Sequence, residues 1–375
     1  MRVSIVIPFK DNEESLILTL KTVLKFAQYH EVQVILVNDG SQKFQKYKYE
    51  INCILSKFER RKIINRTFNR GRAYSRNEGA KFACYPNLLF LDSDRLLSTT
   101  SFSDEDFDDS YVEESIRIGP IIDTFLRTDE IIVDDFLKNP SLIRKYGYYH
   151  IIESAISKDG LLKLNNPWIA TFSGAMLISK KNFDIIGGFD ESFTQWGMEN
   201  IEFGYRMFKK NPLLYFIQND FKTYHIAHSR ETGFYDDGIQ KSMKLFYEKH
   251  PDRKIKEYEK FLQGKISLGE FDESNNKKLT LYYYSRLRLW NKMIEEKVNN
   301  IIKLLNPTIK EIDQLNSLRD LGLDSLTIMR LIFELEEELQ IVIPDDKITP
   351  EYFSDVKGVH RLIHEIINKG GERDG

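Results

Sequence analysis

Two aspartates separated by one residue could bind a divalent cation. Asp92 and Asp94 directly follow the apolar run LLFL, so both carboxylates lie on the bend that ends a predicted strand. Carboxylate oxygens are preferred ligands of hard divalent cations, and such an ion can neutralise the charge on a leaving phosphate. Acidic turns are common, so this interpretation depends on the other residues that lie nearby.

Three further segments carry polar groups at compatible places in the chain. Asp39 ends the run VQVILVND, the stretch NRGRAYSRNEGA lies between two predicted strands, and WGMEN opens a later helix. Ligand groups in parallel sheets collect at the carboxyl ends of the strands, which is where these residues are expected. The alternative for Asp39 is an Asx turn into Gly40 and Ser41.

Short apolar runs alternate with helical patterns over the first 95 residues. In order they are SIVIPF, 16–27, VQVILVND, 71–82 and NLLFLDSD. This β-α-β-α-β order predicts an α/β domain with a mostly parallel sheet. The acidic stretch 98–114 is expected to be a solvated insertion, and 119–156 to be loosely helical.

Three domains are expected along the chain. The strand WIATFSGAMLIS and a helix with apolar residues at 201, 205 and 208 continue the first domain to residue 235. Residues 236–289 are charged, mainly helical and interrupted by Pro251 and two glycines, as in a helical connector. Residues 290–370 carry 15 acidic and 10 basic side chains, and this excess separates a last domain.

The composition excludes several classes of protein. With 41% hydrophobic and 30% charged residues, the 375-residue chain has the composition of a globular protein. Neither large part is basic enough for a nucleic-acid partner. We find no signal peptide or 18-residue apolar stretch, and the thiols of Cys53 and Cys84 show no disulfide or zinc spacing. A cytoplasmic protein without a membrane span is expected.

The motifs IVIPFKDNEESL, VNDGS and NRGRAYSRNEGAK resemble those of family 2 glycosyltransferases of the GT-A fold, a Rossmann-like architecture, over about residues 1–230. The resemblance implies a nucleotide-sugar donor, with a UDP-sugar expected. It places the nucleobase at Pro8 and Asp39 and the ribose or diphosphate near Arg72 and Asn77. Gly174 would leave room beside the donor sugar, and Asp92 would also contact the donor. Arg72 could otherwise be a surface charge.

The same resemblance implies a metal site. Asp92 and Asp94 would hold Mn²⁺ or Mg²⁺, and a histidine late in the domain would be the third ligand. TYHIAHSRE offers His225 and His228. HSRE is similar to the HSRD of β-1,4-galactosyltransferases, so His228 is the first choice and His225 the alternative. An imidazole with two carboxylates favours Mn²⁺. Each histidine could instead have a structural role.

The segment GGFDESFTQWGMENIEFGYR resembles the acceptor-site motif of galactosyltransferases and polypeptide N-acetylgalactosaminyltransferases. Trp196 would then form an aromatic platform for a sugar ring, and Gly197 would let the backbone approach the acceptor. The alternative is that Trp196 belongs to the core.

The general base is left open by the sequence. Inverting relatives carry an Asp where this chain has Asn200, whose amide cannot take a proton at neutral pH. Either Glu199 or Glu202 acts as base, or the reaction retains configuration. Glu202 has a structural alternative as a helical i,i+4 partner of Arg206, which favours Glu199.

Four helical stretches are expected in the last domain, at 290–305, 324–339, 350–353 and 356–368. In the second, apolar residues mark an expected core face: Leu326, Met329, Ile332, Phe333 and Leu335. LRDLGLDSL stands at its start, where Ser325 could be a simple helix cap.

The whole pattern of this domain resembles an acyl or peptidyl carrier protein, a four-helix bundle. The resemblance implies that a separate phosphopantetheinyl transferase adds 4′-phosphopantetheine to Ser325. An acyl- or aminoacyl-activating enzyme would then load the thiol, and the acidic helix would bind basic partner surfaces.

Two functions are therefore expected. The first is a metal-dependent glycosyltransferase whose carrier domain tethers an intermediate or acceptor. The second is a carrier or scaffold protein whose transferase-like domain is inactive and only binds partners; Asn200 supports this second possibility.

Overall fold

A computed structural model describes residues 1–102, 115–145, 147–157, 160–194, 197–210, 214–217, 221–226, 234–273, 295, 297–339 and 343–369. The chain forms two compact units, Met1–Leu279 and Thr280–Gly375, and each is described by itself.

The first unit contains eleven strands and ten α-helices within the described residues. The strands are β1 (Arg2–Phe9), β2 (Glu31–Asp39), β3 (Arg60–Arg66), β4 (Asn87–Leu91), β5 (Arg95–Leu97), β6 (Ser115–Ile118), β7 (Ile121–Thr124), β8 (Ile143–Lys145), β9 (Ala175–Ser179), β10 (Leu214–Ile217) and β11 (Thr223–Ile226). The helices are α1 (Glu13–Phe26), α2 (Phe44–Leu55), α3 (Arg72–Lys81), α4 (Val133–Lys138), α5 (Gly147–Glu153), α6 (Lys180–Ile186), α7 (Glu199–Lys210), α8 (Phe234–Lys249), α9 (Arg253–Leu262) and α10 (Leu268–Asp272).

The main sheet has seven strands in the order β10-β6-β9-β4-β1-β2-β3. β1 pairs in parallel with both β2 and β4, β2 with β3, and β10 with β6, whereas β9 runs antiparallel to β4 and β6. The predicted α/β class with a mostly parallel sheet is confirmed. Because β1, β2 and β4 lie side by side, their carboxyl ends bring Pro8, Asp39 and Asp92 to one edge.

A second sheet of four strands, β5-β11-β7-β8, was not expected. Its strands β7 and β8 lie in the stretch 119–156, which also contains α4 and α5, so the prediction of loosely helical structure there is correct for those helices and wrong for these two strands. Both strands are only three or four residues long, and β7 pairs with β11, about a hundred residues later in the chain. Such short segments acquire a strand conformation from distant partners, which a local pattern cannot reveal.

Helices of the segment predicted as a connector pack into the core of the first unit. Phe246, Tyr258 and Phe271 are almost fully buried and surround the ring of Trp168, which has no exposed surface. Asp272 adds a buried polar contact, because its carboxylate accepts hydrogen bonds from the backbone of Asn165 and Asn166. The helical assignment is correct, but apolar residues from 243 to 271 belong to the core of the first unit. The boundaries at 235 and 289 stay predictions.

The second unit contains four α-helices among its described residues: α11 (297–305), α12 (Ser325–Leu339), α13 (Pro350–Phe353) and α14 (Val356–Lys369). Ile332 and Leu335 of α12 lie in its apolar core, as expected. Leu326, Met329 and Phe333 are exposed, so their assignment to the core was wrong. No helix in the described part of the chain is long and apolar enough to cross a membrane.

Candidate active site

One buried arginine joins the aspartate pair to the acceptor-motif helix. Arg76 of α3 is 1% exposed, and its Nη2 donates to Asp92 Oδ1 at 2.8 Å while its Nη1 donates to Glu199 Oε1 at 3.2 Å. Small residues allow α3 to lie this close to the sheet; a Cβ at Gly79 would stand 2.4 Å from a methyl carbon of Val6. The middle of α3, the end of β4 and the start of α7 therefore meet at a single guanidinium.

Electrostatics keep this cluster charged. Burial raises the pKa of Asp92, but Arg76 and Arg72 outweigh that effect and hold the pKa below its ordinary value. Desolvation lowers the pKa of Arg72, but the negative charges of Asp92 and Glu199 outweigh it and raise the pKa. The carboxylate of Asp92 is thus ionised at neutral pH, as a cation ligand must be.

Asp94 lies in a second cluster, with His225. The Nε2 of His225 is 3.5 Å from Asp94 Oδ2, and its Nδ1 is 3.3 Å from Asp123 Oδ1. Burial lowers the pKa of His225, but the hydrogen bonds to the two aspartates outweigh it and raise the pKa. β11 is responsible for this placement, because it pairs with both β5 and β7. Sequence reasoning had not selected Asp123.

The side-chain atoms of Asp92, Asp94 and His225 are of the types that bind a divalent cation, but they do not form a complete metal site. Among the described residues, no group of three or more His, Cys, Asp or Glu is arranged to hold a metal ion. Two carboxylates and a neighbouring imidazole are nevertheless the ligand types that Mn²⁺ accepts. Gly174 keeps space open there, because a Cβ at this position would stand 2.6 Å from Asp92 Oδ2. His228 lies outside the described residues.

Asp39 organises the segment that precedes α3. The residue is 5% exposed, and its carboxylate accepts hydrogen bonds from the backbone N–H of Arg70 at 2.8 Å and of Gly71 at 2.9 Å, and from Arg66 at 3.2 Å. The backbone N–H of Ser41 donates to Asn38 Oδ1 at 2.9 Å, so Asn38 makes the turn considered for Asp39. Asp39 therefore shapes the loop beside the half-buried Pro8 at the ends of β1 and β2.

Asn77 holds the loop that precedes the acceptor motif. Its amide donates to Phe189 O and to Glu191 Oε1, and its Oδ1 accepts from the backbone N–H of Phe189. These contacts occupy the hydrogen-bonding groups of the amide. The structure thus gives Asn77 a positioning role, and contact with a donor stays a prediction.

The two candidate bases have different surroundings. Glu199 begins α7 and faces Arg76, and its Oε2 is buried without a hydrogen-bond partner among the described residues. Glu202 is fully buried, and its Oε1 accepts from Arg206 Nε at 2.7 Å and contacts His250 Nε2 at 2.8 Å. Only Glu199 thus shares the cluster of Asp92. The turn before α7 includes Gly197, at φ 91°, and Trp196 lies outside the described residues.

Ser325 is exposed at the start of α12. The cap of this helix is Asp324, whose Oδ1 accepts from the backbone N–H of Thr327 at 2.8 Å. That bond lowers the pKa of Asp324. The Ser325 hydroxyl is therefore not the cap, and it opens on a cleft lined in part by Arg319 and Phe353.

Comparison with models of protein families finds a match in each of the two units. Residues 4–235 match the model described as "Glycosyltransferase like family 2", over more than half of the chain. The chain belongs to glycosyltransferase family 2. In this family 2 protein, residues 298–352 match the model described as "Phosphopantetheine attachment site", which includes Ser325. The recognition of a family 2 domain fused to a carrier domain is confirmed.

Curated relatives cover the two parts of this family 2 glycosyltransferase separately. A chondroitin synthase of Pasteurella multocida (strain Pm70) is 27% identical over 231 residues, which are 55% of this chain and 23% of that protein. Aminoacyl carrier protein 2 of Bradyrhizobium diazoefficiens is 35% identical over 51 residues, which are 14% of this chain and 57% of that protein. The chain thus spans about a quarter of the length of the synthase.

A similar solved structure is that of S. aureus TarS, residues 1–349. It has a TM-score of 0.47 and 13% sequence identity, and the match covers 92% of this chain and 95% of that chain.

Proposed function

We propose that the first unit transfers a sugar from a nucleotide-sugar donor to an acceptor, with Glu199 as general base. The observation that carries this proposal is the Arg76 bridge, because it holds the end of β4 and the start of α7 at one point. A donor at the aspartates and an acceptor at Glu199 would then be within reach of each other.

The aspartates would hold a divalent cation at the donor diphosphate. Asp92 and Asp94 supply oxygen ligands, and His228, or His225 as the alternative, supplies an imidazole; Mn²⁺ or Mg²⁺ fits this set. Such a cation neutralises the charge that grows on the departing nucleoside diphosphate. A UDP-sugar is the proposed donor, with Pro8, Asp39 and Arg72 on its nucleotide side.

Glu199 would accept the proton of the attacking acceptor hydroxyl. The new bond forms between the acceptor oxygen and the anomeric carbon, while the bond from that carbon to the diphosphate breaks. Glu199 Oε2 has no hydrogen-bond partner among the described residues, which supports this role. Asn200 does not supply a base, and its amide donates to Thr171 O. A direct displacement inverts the anomeric configuration, so the anomer of the product tests this role.

We propose further that Ser325 carries 4′-phosphopantetheine. A separate phosphopantetheinyl transferase would attach the arm, and an acyl- or aminoacyl-activating enzyme would load its thiol in the cytoplasm. The exposed hydroxyl and the matched attachment site support this assignment. A tethered acceptor would reach an effective concentration of about the millimolar range on a short flexible linkage.

Asn200 favours a second candidate function, a carrier protein whose first unit only binds partners. A panel of sugar nucleotides distinguishes the two candidates. Purified protein, with and without phosphopantetheinylation, is incubated with each donor in Mn²⁺ or in excess chelator, and products and intact mass are recorded. The enzyme proposal expects donor consumption that chelator and Asp94→Asn both abolish. Full consumption in chelator refutes the metal role, and no consumption of any donor favours the scaffold.

Modification of Ser325 is tested in the same samples. A broad-specificity phosphopantetheinyl transferase should add one arm to the wild-type protein and none to Ser325→Ala. An unmodified wild-type protein would refute the carrier assignment.

A further inference from the structure

We propose that His250 is a positioning residue for Glu199, acting through Glu202 of the same helix. This inference rests on the proposed role of Glu199 as general base. His250 follows α8 and lies beyond residues 4–235, the segment that matches the family model. The helices after residue 235 would thus contribute to the acceptor side of the site.

The contact is between His250 and a carboxylate that has no access to solvent. Glu202 is 0% exposed. Its Oε1 lies 2.7 Å from Arg206 Nε and 2.8 Å from His250 Nε2. A buried carboxylate needs such partners, since an uncompensated buried charge is strongly unfavourable. His250 therefore fixes the part of α7 that lies one turn after Glu199.

The rotation of α7 depends on such contacts, because the turn before the helix offers little intrinsic restraint. Gly197 has φ 91° and Met198, which is not a glycine, has φ 68°. Non-glycine residues adopt this left-handed conformation only when their surroundings impose it. α8 packs on this turn as well, since a Cβ at Gly197 would lie 3.5 Å from Ile239.

A small rotation of α7 would misplace the base. A side-chain atom roughly 5 Å from a helix axis moves by about 2 Å when the helix turns by about 20°. Glu199 Oε1 is now held 3.2 Å from Arg76. A displacement of about 1 Å can reduce turnover on the order of a hundredfold, so loss of the His250 contact should act on the transfer step.

The segment between α8 and α9, which contains His250, contacts α7 at a second place, and this provides a matched control. The hydroxyl of Tyr205 donates to Asp252 Oδ2 at 2.7 Å. Tyr205 lies nearly two turns from Glu199, so Tyr205→Phe removes a contact between the same elements at a position remote from the base.

The experiment compares His250→Ala, His250→Gln and Tyr205→Phe. For His250→Ala we expect kcat for transfer to fall about 10- to 100-fold while the donor KM changes by less than about twofold. His250→Gln should recover most of the rate, because its amide can donate to Glu202. Tyr205→Phe should lower the unfolding temperature without lowering kcat. An unchanged kcat in His250→Ala, or losses of kcat that follow unfolding temperature in all three variants, would refute the proposal.

Amide hydrogen exchange gives a readout that does not need turnover. Residues 198–204 should exchange faster in His250→Ala than in the wild-type protein, and at the wild-type rate in Tyr205→Phe and His250→Gln. If the wild-type protein consumes no donor, the proposed function fails, while the exchange rates still decide whether His250 fixes α7. Equal exchange in His250→Ala and the wild-type protein would show that it does not.

Discussion

Arg76→Met should strongly destabilise the first unit, because it removes the cation shared by two carboxylates. Arg76 is 1% exposed, and its partners Asp92 and Glu199 have side chains only 25% and 6% exposed. Carboxylates that share one guanidinium lie roughly 5 Å apart, and at an effective dielectric constant of about 20 they repel by about 3 kcal/mol. Breaking buried ion pairs on one side costs about 3–5 kcal/mol. We expect a loss of about 3 kcal/mol, since Asp92 keeps some contact with water.

Urea unfolding at pH 7, followed by tryptophan fluorescence, measures this loss. Arg61→Met is the matched control, because the same substitution is made in the same unit. Arg61 is exposed, and within the described part of the chain its side chain donates only to the backbone carbonyl of Phe58. The control should lose less than about 1 kcal/mol. If the two variants lie within about 1 kcal/mol of each other, the charge balance assigned to Arg76 is wrong.

Three further predictions concern the site and its support. Gly174→Ala should raise the donor KM about tenfold or more with little change in unfolding, since its Cβ would stand 2.6 Å from Asp92 Oδ2; an unchanged KM would contradict this. Glu199→Gln should lower kcat for transfer about 100-fold or more, whereas Glu202→Gln should retain at least about a tenth of the wild-type kcat. A larger loss of kcat in Glu202→Gln than in Glu199→Gln would mean that the base is misassigned. The hydrogen bond from Tyr205 lowers the pKa of Asp252 to about 2, so Asp252 stabilises the folded protein above about pH 4 and loses this contribution as the pH falls towards 2. Asp252→Asn should therefore lose about 1–2 kcal/mol of unfolding free energy at pH 7 and clearly less at pH 3, and an equal loss at both would contradict the assignment.

Much of the architecture follows from local patterns in the sequence. The apolar runs of β1, β2 and β4 are long enough to be recognised, and each is followed by the polar residue that a strand end in a parallel sheet presents. The sequence did not reveal α2 or β3. The sequence of β3, RRKIINR, is charged because this strand lies at the edge of the sheet. An exposed edge strand has no continuous apolar run to identify it.

Arg76 shows why part of the site could not be predicted. The segment NRGRAYSRN contains three arginines, and nothing in their spacing separates the buried one from Arg70 and Arg72, which remain exposed. The difference arises because the small residues of α3 pack on the sheet, and of these three arginines Arg76 is the one that donates a hydrogen bond to Asp92. The signal that could have selected it is its place among Ala73, Gly79 and Ala80.

The sequence by itself predicted the residues to which we assign the chemistry: the aspartate pair after β4, Glu199 in the acceptor motif and Ser325 at the start of α12. Their types and spacing are local properties, so no partner is needed to recognise them. Only the tertiary structure decided which side chains each of these residues contacts. The pairing of Glu199 with Arg76, of Asp94 with His225 and of Glu202 with His250 joins segments 48 to 131 residues apart, and burial and charge pairing at such distances depend on the packing of the whole unit.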